Sequence, residues 1–508
     1  MTYDHIVGIF DGYWYEAAAI YRQWAQNQYW VRKGKLFERN DQPQWFRDIT
    51  YCHRIDTGSY TPTDARVRAL DLNGRLTGPM LAQWYHWEDN STVGGSGAYP
   101  PISTAQSGFL DAVITMLSNN IYVTPYVDPF VWDTSLASFA SQALPYACKN
   151  PDGSVIKWSD TSWAIMDSGT DWWTNYVKQV VKNIVQNYYV PGIYLDQSGG
   201  IMAANFDPSH GNPLGFCENQ VAQERNHLSE IINEARTVNP EVMFWGESNS
   251  EFAIDLLDAK LVHYNLYKNY LPLFPAVYHE YYPGYGRAQM LKDEFAGDPE
   301  PEMQAAWMWI MGYQVGRIWS SGIYSNPDNQ EIFTYIDKLN ILRSDANEYL
   351  VMGRMMRPPY IDPDSIPHMV AELDKGGPAV LPGILASMWR SPQGNLGLAM
   401  TNITGSAQTV SIKIDLNEYN FQNQTGYQLY DKMTDVLVAS SSDRNFEFNL
   451  NIDSLDARVF EFSGATCEFP LLSDLDGDCE VNFYDFALLA ETWLICTNPS
   501  DPNCIDLR

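Results

Sequence analysis

The chain has 508 residues, with 62 acidic against 32 basic side chains and a formal charge of −30. That length calls for two or three domains, and the charge argues against nucleic acid or an anionic membrane surface as a partner. No run of about eighteen apolar residues occurs, so no membrane span is expected. Its 17 Trp and 32 Tyr offer flat faces of the kind that stack on sugar rings, although a large barrel also buries many aromatics.

In chain order, residues 14–28 set apolar side chains at helical spacing. Residues 1–46 read as a helical segment that ends an upstream region, because Met1-Thr2-Tyr3-Asp4-His5 leads in with no signal peptide. From 47 to 375 strand and helix patterns alternate. Strands are expected at 48–55, 79–85, 121–127, 192–196, 242–246 and 261–266, and helices at 104–119, 171–188, 219–237 and 251–259. Segments 304–320 and 329–346 complete the set. The alternation predicts an α/β fold, a (β/α)8 TIM barrel. A doubly wound sheet is the alternative, but no glycine-rich phosphate fingerprint follows the first strand. From about Ala379 period-two alternation with turn clusters predicts an all-β sandwich over 376–465.

Residues 466–508 form a small tail. Cys467, Cys479, Cys496 and Cys504 crowd into it, whereas Cys52, Cys148 and Cys217 are scattered. The crowding is expected of two disulfides, hence of a secreted or cell-surface protein; the lack of a CxxC pair disfavours zinc. In DLDGDCEVNFYD, Asp474, Asp476, Asp478, Asn482 and Asp485 hold positions 1, 3, 5, 9 and 12 of a loop, and Glu480 offers its carbonyl at position 7. This spacing predicts an EF-hand-like, disulfide-stapled calcium site followed by the helix FALLAETWL. Cys479 stands where glycine is usual and Asp485 where glutamate is usual. The loop resembles one repeat of a type I dockerin; a full dockerin has two, so a protein partner for the tail is expected only in outline.

Two adjacent predicted strands end on acids: PGIYLDQSGG on Asp196 and EVMFWGESNSE on Glu247. Strand C-termini face the active site of a barrel, and a pair of carboxylates flanking a glycosidic bond is the equipment of glycoside hydrolysis. Counted along the chain, Asp196 closes strand four and Glu247 strand five. That placement is similar to the α-amylase superfamily and related retaining α-glycosidases, with Asp196 as nucleophile and Glu247 as acid/base. Trp84, His86 and Glu88 after strand two, and Tyr126 and Asp128 at the end of strand three, fit a sugar subsite. Asp207 and His210 on the loop after strand four, Trp245, His279 and Arg317 are further expected substrate contacts. No nucleophile elbow, HExxH motif or phosphate loop occurs, so no cofactor for catalysis is implied.

YWYEAAAIYRQWA, GIYLDQSGG, FDPSHGNPLGF, FWGESNSE and LASMWRSPQGNLGLAMTNIT together resemble an uncharacterised glycosidase-like TIM-barrel family over most of residues 1–465. The resemblance implies a glycoside hydrolase with a carbohydrate substrate and leaves the sugar open. An inverting or β-directed enzyme, and a non-catalytic carbohydrate-binding protein on a barrel scaffold, remain alternatives at this point.

Overall fold

A computed structural model describes residues 7–466 except 59, 90–104, 160, 199–202, 217–219, 248–249, 263–270, 287–288, 291–300, 320–329, 372–378, 423–425 and 464, together with 486 and 489. The predicted calcium loop, Asp474 to Asp485, and the cysteines Cys217, Cys467, Cys479, Cys496 and Cys504 lie outside the described residues.

Short apolar runs bounded by turns build parallel strands, each buried on both faces. β1 (Tyr51–Asp56), β2 (Met80–Tyr85), β3 (Ile121–Val127), β4 (Gly192–Leu195), β5 (Met243–Glu247), β6 (Ala259–Leu261) and β7 (Gly284–Tyr285) lie side by side in that order, and β8 (Val315–Trp319) pairs with β1. Gln289–Met290 pairs with β8, and a parallel bridge joins Tyr285 to Gln314, so the eight-stranded barrel is nearly closed. Near closure leaves little exposed strand edge.

Around it run α1 (Trp14–Ala25), α2 (Pro62–Asn73), α3 (Phe109–Leu117), α4 (Asp171–Tyr188), α5 (Gln220–Arg236), α6 (Leu273–Tyr278), α7 (Pro301–Ile310) and α8 (Gln330–Asp345). Their starts follow local chemistry. Thr61 caps α2 by accepting from the Asp64 amide, with Pro62 in the first turn. The α4 stripe Val177, Val180, Val181, Ile184 and Val185 is buried against the wall. α1 is tied in by Arg22, which donates to the Ala276 carbonyl at 3.1 Å, and the turn Tyr29–Val31 after it by the Trp30 indole, which donates to Tyr278 Oη at 3.0 Å.

One expected helix does not form. Over 251–259 there is only a 3-10 turn, Glu251–Ala253, and then β6 begins. The chain between is pinned by its acids: Asp255 pairs with Arg225 at 2.8 Å, and Asp258 accepts from the Phe244 amide at 2.9 Å and from Arg236 at 3.0 Å. Those side-chain bonds hold a turn where the apolar spacing alone favours a helix.

Beyond the barrel, Arg354–Met355, Ile384–Arg390, Leu396–Asn402, Asp456–Phe462, Tyr427–Asp431 and Val436–Ser441 form a six-stranded antiparallel sheet. Tyr360–Ile361, Gln408–Asp415 and Asn445–Ile452 form a three-stranded one. In NFEFNLNI every second side chain is buried, and Phe446, Phe448 and Leu450 share a core with Leu398, Met400 and Phe460 of the larger sheet. Among the described residues, no helix is long and apolar enough to cross a membrane.

Candidate active site

Period two divides each barrel strand into an inner and an outer row. On β2 the outer row is Met80, Ala82 and Trp84, which join the core under the helices, whereas Leu81 belongs to the core inside the barrel. The inner core is strongly aromatic, holding Tyr126, Tyr194, Trp245 and Tyr285. At the C-terminal end these rings give way to acids: Asp128 directly after β3, Asp196 directly after β4 and Glu247 as the last residue of β5.

Asp196 is held by two tyrosines. The Tyr126 hydroxyl donates to Oδ2 at 2.5 Å and the Tyr194 hydroxyl to Oδ1 at 2.8 Å. Burial, followed by the charge of Glu247, raises its carboxyl well above the ordinary range, while the two tyrosines and Arg317 pull it back. Asp128 is also raised by burial and then by Asp196 and Glu247; its Oδ1 accepts from the Phe130 amide at 2.9 Å. The negative charges of Asp196 and Glu247 thus work with burial against ionisation of Asp128, and that of Glu247 against ionisation of Asp196. Glu247 is half-buried, less enclosed than Asp196.

A cationic wall faces them. Arg317 on β8 donates Nη1 to Gln83 Oε1 at 2.6 Å and to Tyr85 Oη at 2.7 Å. The Arg54 guanidinium lies 4.2 Å from the centre of the Tyr85 ring and 3.3 Å from Asp56. Asp56 in turn holds His86 at 2.5 Å, and this hydrogen bond raises the imidazole's pKa. His86, directly after β2, and Gln197, directly after Asp196, both have left-handed backbone at φ 54° and 55°. Strained residues at strand ends are common where side chains must be aimed at a site. Glu88 is buried, neither of its carboxyl oxygens has a partner among the described residues, and burial pushes it up to about 7.

Of the expected residues, Asp196, Glu247, Tyr126, Asp128 and Arg317 therefore form one connected group, with His86 reached through Asp56 and Arg54. Others do not join it. Trp84 lies on the outer row, fully buried against Phe109 with its indole donating to Thr57 Oγ1 at 2.9 Å, so it has no face to offer a sugar. Trp245 is inside the barrel but fully buried beneath the acids, its ring tilted 60° against that of Tyr194 with centroids 4.6 Å apart. His279 sits where barrel and C-terminal sheets meet, its ring nitrogens 2.7 Å from the Gly353 and 3.1 Å from the Gly312 carbonyl oxygens. Asp207 and His210 clamp the loop after β4: Lys149 reaches Asp207 at 2.5 Å, and His210 contacts Asp167 at 2.7 Å and the Pro145 carbonyl at 2.8 Å. Both side chains are almost fully enclosed by those partners.

Sequence reasoning missed Tyr194, Tyr85, Gln83, Arg54 and Asp56. Tyr194 was findable, since it stands two positions before Asp196 and must share its side of the strand.

Among solved structures, the noncanonic maltogenic α-amylase AmyB from Thermotoga neapolitana shares 12% identity and aligns with a TM-score of 0.53 over 81% of this chain and 98% of that one. The GH36 α-galactosidase AgaA from Geobacillus stearothermophilus shares 9% and aligns at 0.59 over 90% of this chain and 60% of that one. At such identities the likeness is one of fold. Among curated proteins, one from Monosiga brevicollis, provisionally named glycoside hydrolase 22789, is 24% identical over 81% of this chain. One from Bacteroides thetaiotaomicron, provisionally named a glycoside hydrolase, is 21% identical over 81%. The chain spans 39% and 60% of these two relatives' lengths. Residues 1–289, more than half of the chain, match the family described as a domain of unknown function, DUF6259, and the chain belongs to that family.

Proposed function

We propose that the barrel is a glycoside hydrolase acting on an α-linked glycan with retention, Asp196 serving as nucleophile and Glu247 as acid/base. The observation that carries this reading is the pairing of an acid gripped by two tyrosine hydroxyls with a second acid on the neighbouring strand end, each felt by the other. The two hydroxyl donors and Arg317 oppose the rise that burial and Glu247 impose on Asp196, and so support the ionised form a nucleophile needs. The less enclosed Glu247 is the better placed to meet a leaving group and then water.

In the first step Asp196 attacks the anomeric carbon while Glu247 gives its proton to the departing oxygen. In the second Glu247 takes a proton from water, whose oxygen displaces Asp196. Arg317 and Arg54 limit the cost of negative charge in the site. The names of the two curated relatives and of the structural neighbours support the reaction class. Calcium binding by the tail and an extracellular setting belong to the same reading and are supported by loop spacing and cysteine crowding alone.

A screen of aryl α- and β-glycosides and oligosaccharides, run on the wild type beside Asp196→Asn and Glu247→Gln, tests the proposal. Cleavage by the wild type should fall by about 100-fold or more in each variant. Hydrolysis undiminished in either variant would remove that residue from its role.

A further inference from the structure

At the opposite end of the barrel lies a cavity of about 220 Å³. Its lining includes Asp48 just before β1 and Gln314 just before β8, which places it at the N-terminal mouth. Arg343 of α8 reaches into it, 4% exposed. Its Nε and Nη2 point at one carbonyl, that of Gly312, at 3.3 and 3.2 Å, and no carboxylate pairs with it among the described residues. Asn340, one helical turn earlier on the same face, is 1% exposed, and neither its amide nitrogen nor its oxygen has a partner among the described residues. Arg47 lines the wall, with Nη2 given to the Arg39 carbonyl and Nε unpartnered among the described residues. The one acid of the lining, Asp48, is exposed and already accepts from Gln44 at 2.6 Å.

Such an arrangement is costly wherever these buried groups stay unpartnered. A buried guanidinium without a counter-charge and a buried amide without partners both destabilise the fold. Apolar side chains of the same size would stabilise it better. The cost is removed if an anion supplies the missing acceptors. A cavity of about 220 Å³ has room for more than a bare inorganic ion.

We propose that this cavity binds a small organic molecule through a carboxylate or phosphate group, with Arg343 and Arg47 supplying charge and Asn340 a neutral amide donor. The site is independent of the carboxylate cluster and of the reaction assigned to it. Thermal melts of the full chain at constant ionic strength test it, using glucuronate, glucose 6-phosphate, inorganic phosphate and acetate, with glucose as the neutral control. Glucuronate or glucose 6-phosphate should give a saturable rise of about 3 °C. Glucose should give none, and inorganic phosphate or acetate less than the organic ion bearing the same group.

Asn340→Asp places a carboxylate beside Arg343, so it should raise the melting temperature without ligand and abolish the response. Arg47→Gln, at a half-buried position, should weaken apparent affinity at least about threefold while leaving the fold intact. Melts unmoved by all four anions, or an anion response preserved in both variants, would overturn the proposal.

Discussion

Tyr194 stands two positions before Asp196, and its hydroxyl donates to that carboxyl at 2.8 Å. Tyr194→Phe removes a bond that favours the ionised acid, so the acidic limb of the kcat/KM–pH profile should move to higher pH, with a rate loss of about tenfold or more at neutral pH. An unmoved limb would show that Asp196 ionisation does not govern it. Glu224 provides a stability test elsewhere in the molecule. Burial pushes this carboxyl up to about 8, so the folded state binds its proton more tightly than the unfolded chain does. The associated stability is complete below the ordinary glutamate range and is lost as pH rises through 8. Glu224→Gln should therefore melt higher than the wild type by a margin that grows between pH 5 and pH 9; parallel curves would contradict this. Asp196 and Glu247 were legible as neighbouring strand-end acids, because GIYLD and MFWGE each run an apolar strand straight into a carboxylate. Trp84 was misread because strands apolar on both faces carry no phase in their sequence, and Trp245 because period two fixes its side of the strand but not its depth below the acids. A shift of one position separates Gln83, which meets Arg317, from Trp84, which meets α3.

At the level of elements, long periodic helices such as 171–188 were readable nearly to the residue, since α4 runs Asp171–Tyr188. The segment 251–259 was not, because ion pairs with Arg225 and Arg236, far away in sequence, decide its shape. β6 and β7 are three and two residues long, too short for any period to register. Trp84 fixes α3 to the wall through its 4.8 Å ring contact with Phe109. Trp84→Ala should cost about 3–5 kcal/mol in denaturant unfolding while leaving KM of the remaining folded enzyme unchanged. A raised KM at full stability would return Trp84 to the binding surface. For the tail, calorimetric titration should find one calcium per chain, lost in an Asp474→Ala, Asp476→Ala double variant; absence of heat from the wild type would remove the metal.

Across the whole molecule, barrel and C-terminal sheets are joined by a common core. Trp389, Ala399 and Val459 of the large sheet pack in the same cluster as Trp309 and Leu339 of the barrel helices. The Tyr335 hydroxyl meets Thr401 Oγ1 at 2.5 Å, and Lys338 pairs with Asp456. The alternation that marks the sheets in sequence begins near Ala379, yet the sheets take up chain from Arg354, because Arg354–Met355 is too short to alternate visibly. The full protein should melt in one cooperative transition, and a chain ending before Arg354 should expose that shared core and lose it.

The most direct measurement of the central claim is the configuration of products formed when azide rescues Asp196→Ala and Glu247→Ala on an activated α-glycoside. If Asp196 is the nucleophile, its variant should yield a glycosyl azide inverted relative to the substrate, and the Glu247 variant one with retained configuration. Exchange of the two outcomes would reverse the assigned roles, and rescue of neither variant would contradict the double-displacement account.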